Sequence, residues 1–147
     1  MIEFKTLADL SGLEAYHLFR LRVDVFVAEQ QCPYNELDDI DVGPDTHHVL
    51  AWGPSGELRG CARVFPGADG PHLGRFVVAH SARGTGLGRE ILTRAIAYAQ
   101  RWDGDLLIDA QAGLVSYYNA FGFVEEGEEF LDTGIPHRRM RLRRGGV

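Results

Sequence analysis

The sequence predicts one mixed α/β domain, and three observations carry that expectation. Strand-like and helix-like stretches alternate along all 147 residues in the order β, α, three β, α, β, α, two β. One stretch, 87–102, keeps an amphipathic helical period over its whole length. No internal repeat, low-complexity segment or linker divides the chain, whose length suits a single domain with a substantial core.

Each element has its own signal. "IEFKTL" alternates like a first strand. Over 10–29, Leu13, Tyr16, Leu18, Phe19, Val23, Phe26 and Val27 are spaced for helical packing, as one helix or two. The next seventeen residues, "QQCPYNELDDIDVGPDT", lose that period and gain proline, glycine and acid, so a loop is expected. "HHVLAWG" and "ELRGCARVF" read as strands joined by a Gly-Pro-Ser-Gly hairpin turn, and "HLGRFVVA" as the strand that follows. Leu87, Ile91, Ala95, Tyr98 and Trp102 form the apolar stripe of the clearest helix, with Gly104 placed to end it. "DLLIDAQ" is a mostly buried strand and "GLVSYYNAFG" a short helix. Strands around "FVEEGEEFL" and "IPHRRMRL" close the chain. In the last, Met140 and Leu142 alternate with Arg139, Arg141 and Arg143, so one wet face is expected, its arginines discouraging edge pairing.

Composition excludes several classes. A net charge of −6 argues against a dedicated nucleic-acid binder. No apolar run approaches the roughly 18 residues of a membrane span, and the N-terminus lacks the basic and apolar regions of a signal peptide, so a cytoplasmic protein is expected. Cys32 and Cys61 belong to no metal or redox spacing and are expected as reduced thiols. His47 and His48 are adjacent, so a strand sends them to opposite faces and a zinc pair is disfavoured. Counting an EF-hand from Asp39 puts Leu50 at the bidentate position, so no calcium loop is expected either. No Gly-x-Ser-x-Gly elbow supports a serine hydrolase.

The chemistry concentrates in "SARGTGLGRE", 81–90, between a strand and the clear helix. A helix N-terminus offers unpaired N–H groups and a partial positive charge, and glycines let an anion approach them. Three glycines flanked by Arg83 and Arg89 therefore point to a phosphate ligand. The dinucleotide pattern fails because position 89 is arginine, and the Walker pattern fails for want of Gly-Lys-Ser/Thr.

Arg83-x-x-Gly86-x-Gly88 instead resembles the pyrophosphate signature of the GNAT family of N-acetyltransferases. "RFVV" precedes it at the family's distance, and Tyr118, Gly122 and Phe123 match a second motif, Tyr-x-x-x-Gly-Phe. "LRVDVFVAEQQCPYNELDDID", "THHVLAW" and "GIPHRRM" are similar to the family's ElaA-type branch. The resemblance spans essentially the whole chain. It implies a mixed, mostly antiparallel sheet of about seven strands with about four helices. It also implies acetyl-CoA as co-substrate, no metal, and direct transfer to an amine without an acyl-enzyme. Backbone N–H groups of Gly84, Gly86, Leu87, Gly88 and Arg89 would hold the pyrophosphate, with Arg83 alongside. Phe76, Val77 and Val78 would pair with the pantetheine arm, and the Val78 N–H would polarise the thioester carbonyl. Gln111 stands where many members carry asparagine and would meet the pantetheine amides. Tyr118 is the expected general acid for the departing thiolate, with Tyr117 facing elsewhere and mattering less.

The proton acceptor stays open among Glu29, Asp39, His48 and His72. A lysine-like amine, with pKa about 10.4, needs one at neutral pH. The acidic run Glu36, Asp38, Asp39, Asp41 and Asp45 reads either as a solvated loop or as an attractor for a cationic amine. The acceptor itself is open between small molecules and peptide or protein amines, and a homodimer through the C-terminal strands is compatible with the resemblance. Two other readings remain: an acyl-CoA sensor without catalysis, and an acyltransferase using another acyl group or acceptor atom.

Overall fold

The computed structural model describes residues 1–29, 36–132 and 134–144. Seven strands form one sheet: β1 (Ile2–Lys5), β2 (His47–Trp52), β3 (Leu58–Gly67), β4 (Gly70–Val78), β5 (Leu106–Gln111), β6 (Val124–Asp132) and β7 (Ile135–Leu142). Their order across the sheet is β1-β2-β3-β4-β5-β7-β6, antiparallel throughout except for the parallel pair β4–β5. Three α-helices accompany them: α1 (Gly12–Arg22), α2 (Leu87–Ala99) and α3 (Val115–Asn119).

The fourth expected helix is instead a π-helical continuation of α1, Val23–Glu29. Ser11 starts α1 with a capping box, its hydroxyl accepting from the Glu14 N–H while Glu14 accepts from the Ser11 N–H. Leu13 and Tyr16, expected to pack inward, are more than half exposed, because α1 docks through Leu18 and Arg22. In α2 the buried face is Ile91, Leu92, Ala95 and Ala99, so the stripe is rotated from the one expected. The helix also stops earlier than Gly104, which at φ +103° turns the chain before β5.

Helices cover both faces of the sheet, giving two cores. Val49, Ala62, Val64, Leu73, Ile108 and Met140 meet Ile91, Leu92 and Ala95 of α2 on one face. Leu50, Cys61 and Val77 meet Leu18, Val25 and Phe26 on the other. The arginine-bearing strand β7 is not an edge: it pairs with β5 and β6, and β6 is the outer strand. Its arginines serve cross-strand ion pairs, Arg139 with Asp109 at 2.6 Å and Arg141 with Glu126 at 2.6 Å.

Two irregularities open the sheet where the site lies. Cys61 faces Val77 but Arg63 faces Gly74, so β4 carries an extra residue, a bulge at Arg75–Phe76. Arg75 there has φ +48°, the one described non-glycine residue with positive φ. Meanwhile β4 and β5 are registered only at His72 opposite Leu107, and beyond that point the two strands part.

Candidate active site

Between β4 and α2 the chain turns through a 3₁₀ segment, His80–Ala82, and then the glycine loop. Gly84 and Gly86 sit at φ +78° and +88°, a conformation that disfavours side chains, and space beyond both is open where a Cβ would stand. Gly86 is the N-cap of α2 and has no capping side chain, so the first-turn N–H groups of Gly88 and Arg89 remain for a ligand. The Leu87 N–H makes a long contact, 3.4 Å, with the Thr85 hydroxyl. Gly88 is closely packed: a Cβ would stand 3.2 Å from the Tyr117 hydroxyl and 3.3 Å from Phe76. Arg83 folds back to donate to the Val78 carbonyl at 3.0 Å.

This loop walls a cavity of about 530 Å³, with Arg83, Gly84, Gly86, Gly88 and Arg89 on one side and Phe76, Val77 and Val78 on another. Tyr117 and Phe121 complete it, with the Arg89 guanidinium 5.5 Å over the Phe121 ring. A second cavity of about 470 Å³ lies in the gap between β4 and β5 and is lined by Gln111, His72, His137 and Tyr118 among others. Phe76 and Leu114 border both cavities, so the two adjoin at the β4 bulge.

The neighbouring tyrosines divide between them. Tyr118 is buried on α3, its ring edge-on to Tyr117 and Phe123, and its hydroxyl has no hydrogen-bond partner among the described residues. Burial pushes its phenol upward, which keeps the proton on oxygen at neutral pH. Tyr117 does face elsewhere, as expected, but it faces the glycine loop and stacks near Phe76. The expectation that it matters less therefore loses its basis. Nothing in its sequence context marked it, because which of two adjacent residues meets the loop depends on the angle of α3.

Three members of the acidic run, Glu36, Asp38 and Asp41, are held in ion pairs, whereas Asp39 and Asp45 are exposed. Glu36 and Asp41 are buried, and with Asp38 they meet three arginines drawn from three different elements. Arg22 of α1 donates to Glu36 at 2.7 Å and to Asp41 at 2.8 Å. Arg63 of β3 reaches Asp38 at 2.7 Å and Asp41 at 2.9 Å. Arg75, at the bulge, lies 3.0 Å from Glu36 and 3.4 Å from Asp38. Burial raises the Asp41 carboxyl, but the bonds and charges of Arg22 and Arg63 outweigh it and hold it at about 2. Arginines in apolar surroundings, "RLRVDVF" and "GCARVF", were the available signal for this network.

A pH prediction arises here. Asp41 titrates lower in the folded chain than its ordinary 3.8, so its contribution is complete above that value and is lost as pH falls toward 2. A shift of this size corresponds to about 2 kcal/mol, read as a falling urea midpoint between about pH 4 and pH 2. In Asp41→Asn that part of the acid slope should vanish.

The proton-acceptor candidates separate clearly. His48 is fully buried under Phe19, its Nε2 bonded to the Asp41 carbonyl at 3.0 Å, and it borders neither cavity. Burial also lowers its pKa. His48 is thus withdrawn as the base and reassigned to holding the acidic segment. Asp39 opens a 3₁₀ turn and borders neither cavity. The Glu29 side chain and Cys32 lie outside the described residues. His72 does line the cleft between β4 and β5. Cys61 is buried with its thiol pushed up to about 12 by burial, an inert thiol. Among the described residues no cluster of histidine, cysteine and carboxylate ligands could hold a metal.

Comparison with known proteins agrees with this geometry. Residues 14–144 match the family model described as an acetyltransferase (GNAT) domain. A UPF0039 protein of Mycobacterium tuberculosis is 42% identical over 136 residues, spanning 90% of this chain and 86% of that protein. The ElaA protein of Escherichia coli is 35% identical over 147 residues, spanning 95% of each. Its crystal structure superposes with a TM-score of 0.90 at 30% identity, over 97% of this chain and 99% of that one. An acyl-CoA N-acyltransferase from Pseudomonas aeruginosa superposes with a TM-score of 0.90 at 41% identity, over 97% of this chain and 98% of that one. With its seven-stranded mixed sheet and its glycine loop at the head of α2, the chain belongs to the GNAT family of acyltransferases, in the ElaA-like branch.

Proposed function

We propose that the chain is an N-acetyltransferase that moves the acetyl group of acetyl-CoA directly to a primary amine. The observation that carries this reading is the contiguity of the two cavities across Phe76: an anion cradle on one side and a cleft with an unpartnered tyrosine on the other. The cradle fits a pyrophosphate, because open space beyond Gly84 and Gly86 lets an anion approach backbone N–H groups at the head of α2. Gly84, Gly86, Gly88 and Arg89 would hold it, with Arg83 and Leu87 shaping the turn. Past the bulge no strand among the described residues pairs with β4 on its β5 side, so Phe76, Val77 and Val78 can receive the pantetheine arm as an added strand. The Val78 N–H is our choice to polarise the carbonyl, and Gln111, at the cleft end of β5, to meet the pantetheine amides.

The bound co-substrate supplies an activated acyl group; the chain supplies position and protons. Tyr118 would donate a hydrogen bond to the departing sulfur and then its phenolic proton, as the thiol, with an ordinary pKa of about 8.5, forms. The amine would enter through the cleft between β4 and β5. No helix among the described residues is long and apolar enough to cross a membrane, and the buried Cys61 thiol suits a reducing compartment, the cytoplasm.

Calorimetric titration with acetyl-CoA and with acetyl-pantetheine, which lacks the pyrophosphate, tests the cradle. Intact co-substrate should bind and the truncated one should not. Gly86→Glu sets a carboxylate in the cradle at a φ that resists any side chain, and should weaken binding at least about 100-fold, or about 2.8 kcal/mol. Equal binding of both ligands would remove the phosphate role of the loop.

A further inference from the structure

The cleft between β4 and β5 holds a histidine whose ring is fixed from three sides. His72 opens the pairing of β4 with β5, and its Nε2 stands 2.6 Å from Asp69 Oδ1. Its ring lies flat against Phe65, with centroids 5.2 Å apart and planes 8° from parallel. The hairpin between β3 and β4 makes room for that ring: a Cβ on Gly67 would stand only 2.6 Å from His72 Cδ2. On the far side Asp69 is tied to Arg139 at 3.2 Å, and Arg139 to Asp109 at 2.6 Å. The ring is therefore held against rotation, and both His72 and Asp69 border the cleft that also holds Tyr118.

The tautomer follows from the partner. The hydrogen bond from His72 holds the Asp69 carboxyl at about 2, so near neutral pH it is ionised and only accepts. Nε2 must then carry the hydrogen, leaving the imidazole lone pair on Nδ1. That nitrogen has no hydrogen-bond partner among the described residues and is not sealed from solvent. An imidazole oriented by a carboxylate through one nitrogen, with its second nitrogen free, is the arrangement of a proton acceptor.

We infer that His72 is the catalytic base of the transfer, accepting the amine proton on Nδ1, and that Asp69 is the positioning residue that fixes its tautomer and ring. The inference rests on the amine-acceptor reading above. The acceptor arrives as an ammonium ion and gives one proton to Nδ1. The freed nitrogen lone pair forms the N–C bond to the acyl carbon, and the C–S electron pair leaves with sulfur. Sulfur takes a proton from the Tyr118 hydroxyl, whose oxygen is reprotonated by the second proton lost from nitrogen. His72 then returns its proton to solvent, so the balance is one amide, one thiol and one released proton. The positions of Glu29, Asp39 and His48 are not required for any of these steps.

Two small amines of nearly equal shape separate this role from a structural one. Ethylamine is an ammonium ion at neutral pH and needs a base, whereas 2,2,2-trifluoroethylamine is already unprotonated. In full-length protein with acetyl-CoA, His72→Gln should lower kcat/KM for ethylamine by about 100-fold or more, but for trifluoroethylamine by less than about tenfold. Asp69→Asn should show the same selectivity at smaller amplitude. Equal losses for both amines, or no loss for either, would overturn the assignment of His72 while leaving the amine reading intact. If the unaltered protein binds acetyl-CoA and turns over neither amine, the amine reading fails and this inference with it.

Discussion

Tyr118→Phe is expected to lower turnover by about 100-fold to 10,000-fold, the range typical of a positioned general acid, with acyl-CoA binding nearly unchanged. The separation is clean because the hydroxyl holds nothing up. It has no hydrogen-bond partner among the described residues, while the ring keeps its edge contacts with Tyr117 and Phe123 in the variant. Thermal stability should consequently move little. Thiol release measured with saturating co-substrate reports the loss, and calorimetry reports the intact binding. Tyr117→Phe is the companion variant. Its hydroxyl lies beside Gly88 at the cradle, so any effect should fall on acyl-CoA affinity and not on turnover. Turnover unaffected in Tyr118→Phe would remove the acid role. Full binding without turnover in the unaltered protein would favour the sensor reading.

Arg22→Ala is expected to cost about 3–5 kcal/mol of stability, the penalty for leaving buried charge uncompensated. Arg22 is fully buried and is the one arginine bonded at once to the Glu36 carboxylate, the Glu36 carbonyl and both oxygens of Asp41. Its loss leaves buried Asp41 with Arg63 alone and buried Glu36 with Arg75 alone. Arg63 and Arg75 also serve Asp38, so three carboxylates are left to share two guanidinium groups. Against a total of about 5–15 kcal/mol for a domain of this kind, such a loss leaves little margin. Chemical denaturation gives the direct reading, and a change under about 1 kcal/mol would mean that water reaches the network.

Much of this fold was legible in local pattern. The order of elements along the chain, the hairpin turn and the glycine loop rest on periodicity and on residues with special backbone freedom, which act within a few positions. Gly84 and Gly86 could be placed because positive φ at a helix head is a local demand. What was not legible depends on which element meets which. The expected inward stripe of α1 failed at Leu13 and Tyr16, because a helix docked through a buried arginine need not bury a continuous apolar face. The acids at 36, 38 and 41 looked solvated because their partners lie in α1, β3 and β4, far away in sequence. His48 and His72 are both strand histidines on the same face of the sheet, and only what covers that face separates them: Phe19 of α1 packs on His48, whereas His72 borders the gap beside β5. The arginines of β7 suggested an edge; the edge is β6, since the last strand inserts between its predecessors.

Arg75 bears on any attempt to engineer this protein. A residue other than glycine at φ +48° carries a backbone cost of about 1–2 kcal/mol, so a stability-guided redesign would select glycine there. That choice would also cut the tether from the bulge to Glu36 and Asp38, which ties the parting of β4 from β5 to the acidic segment. At this position relief of backbone strain is set against the charge balance of a buried network, so a redesign scored on backbone conformation alone would favour the wrong variant.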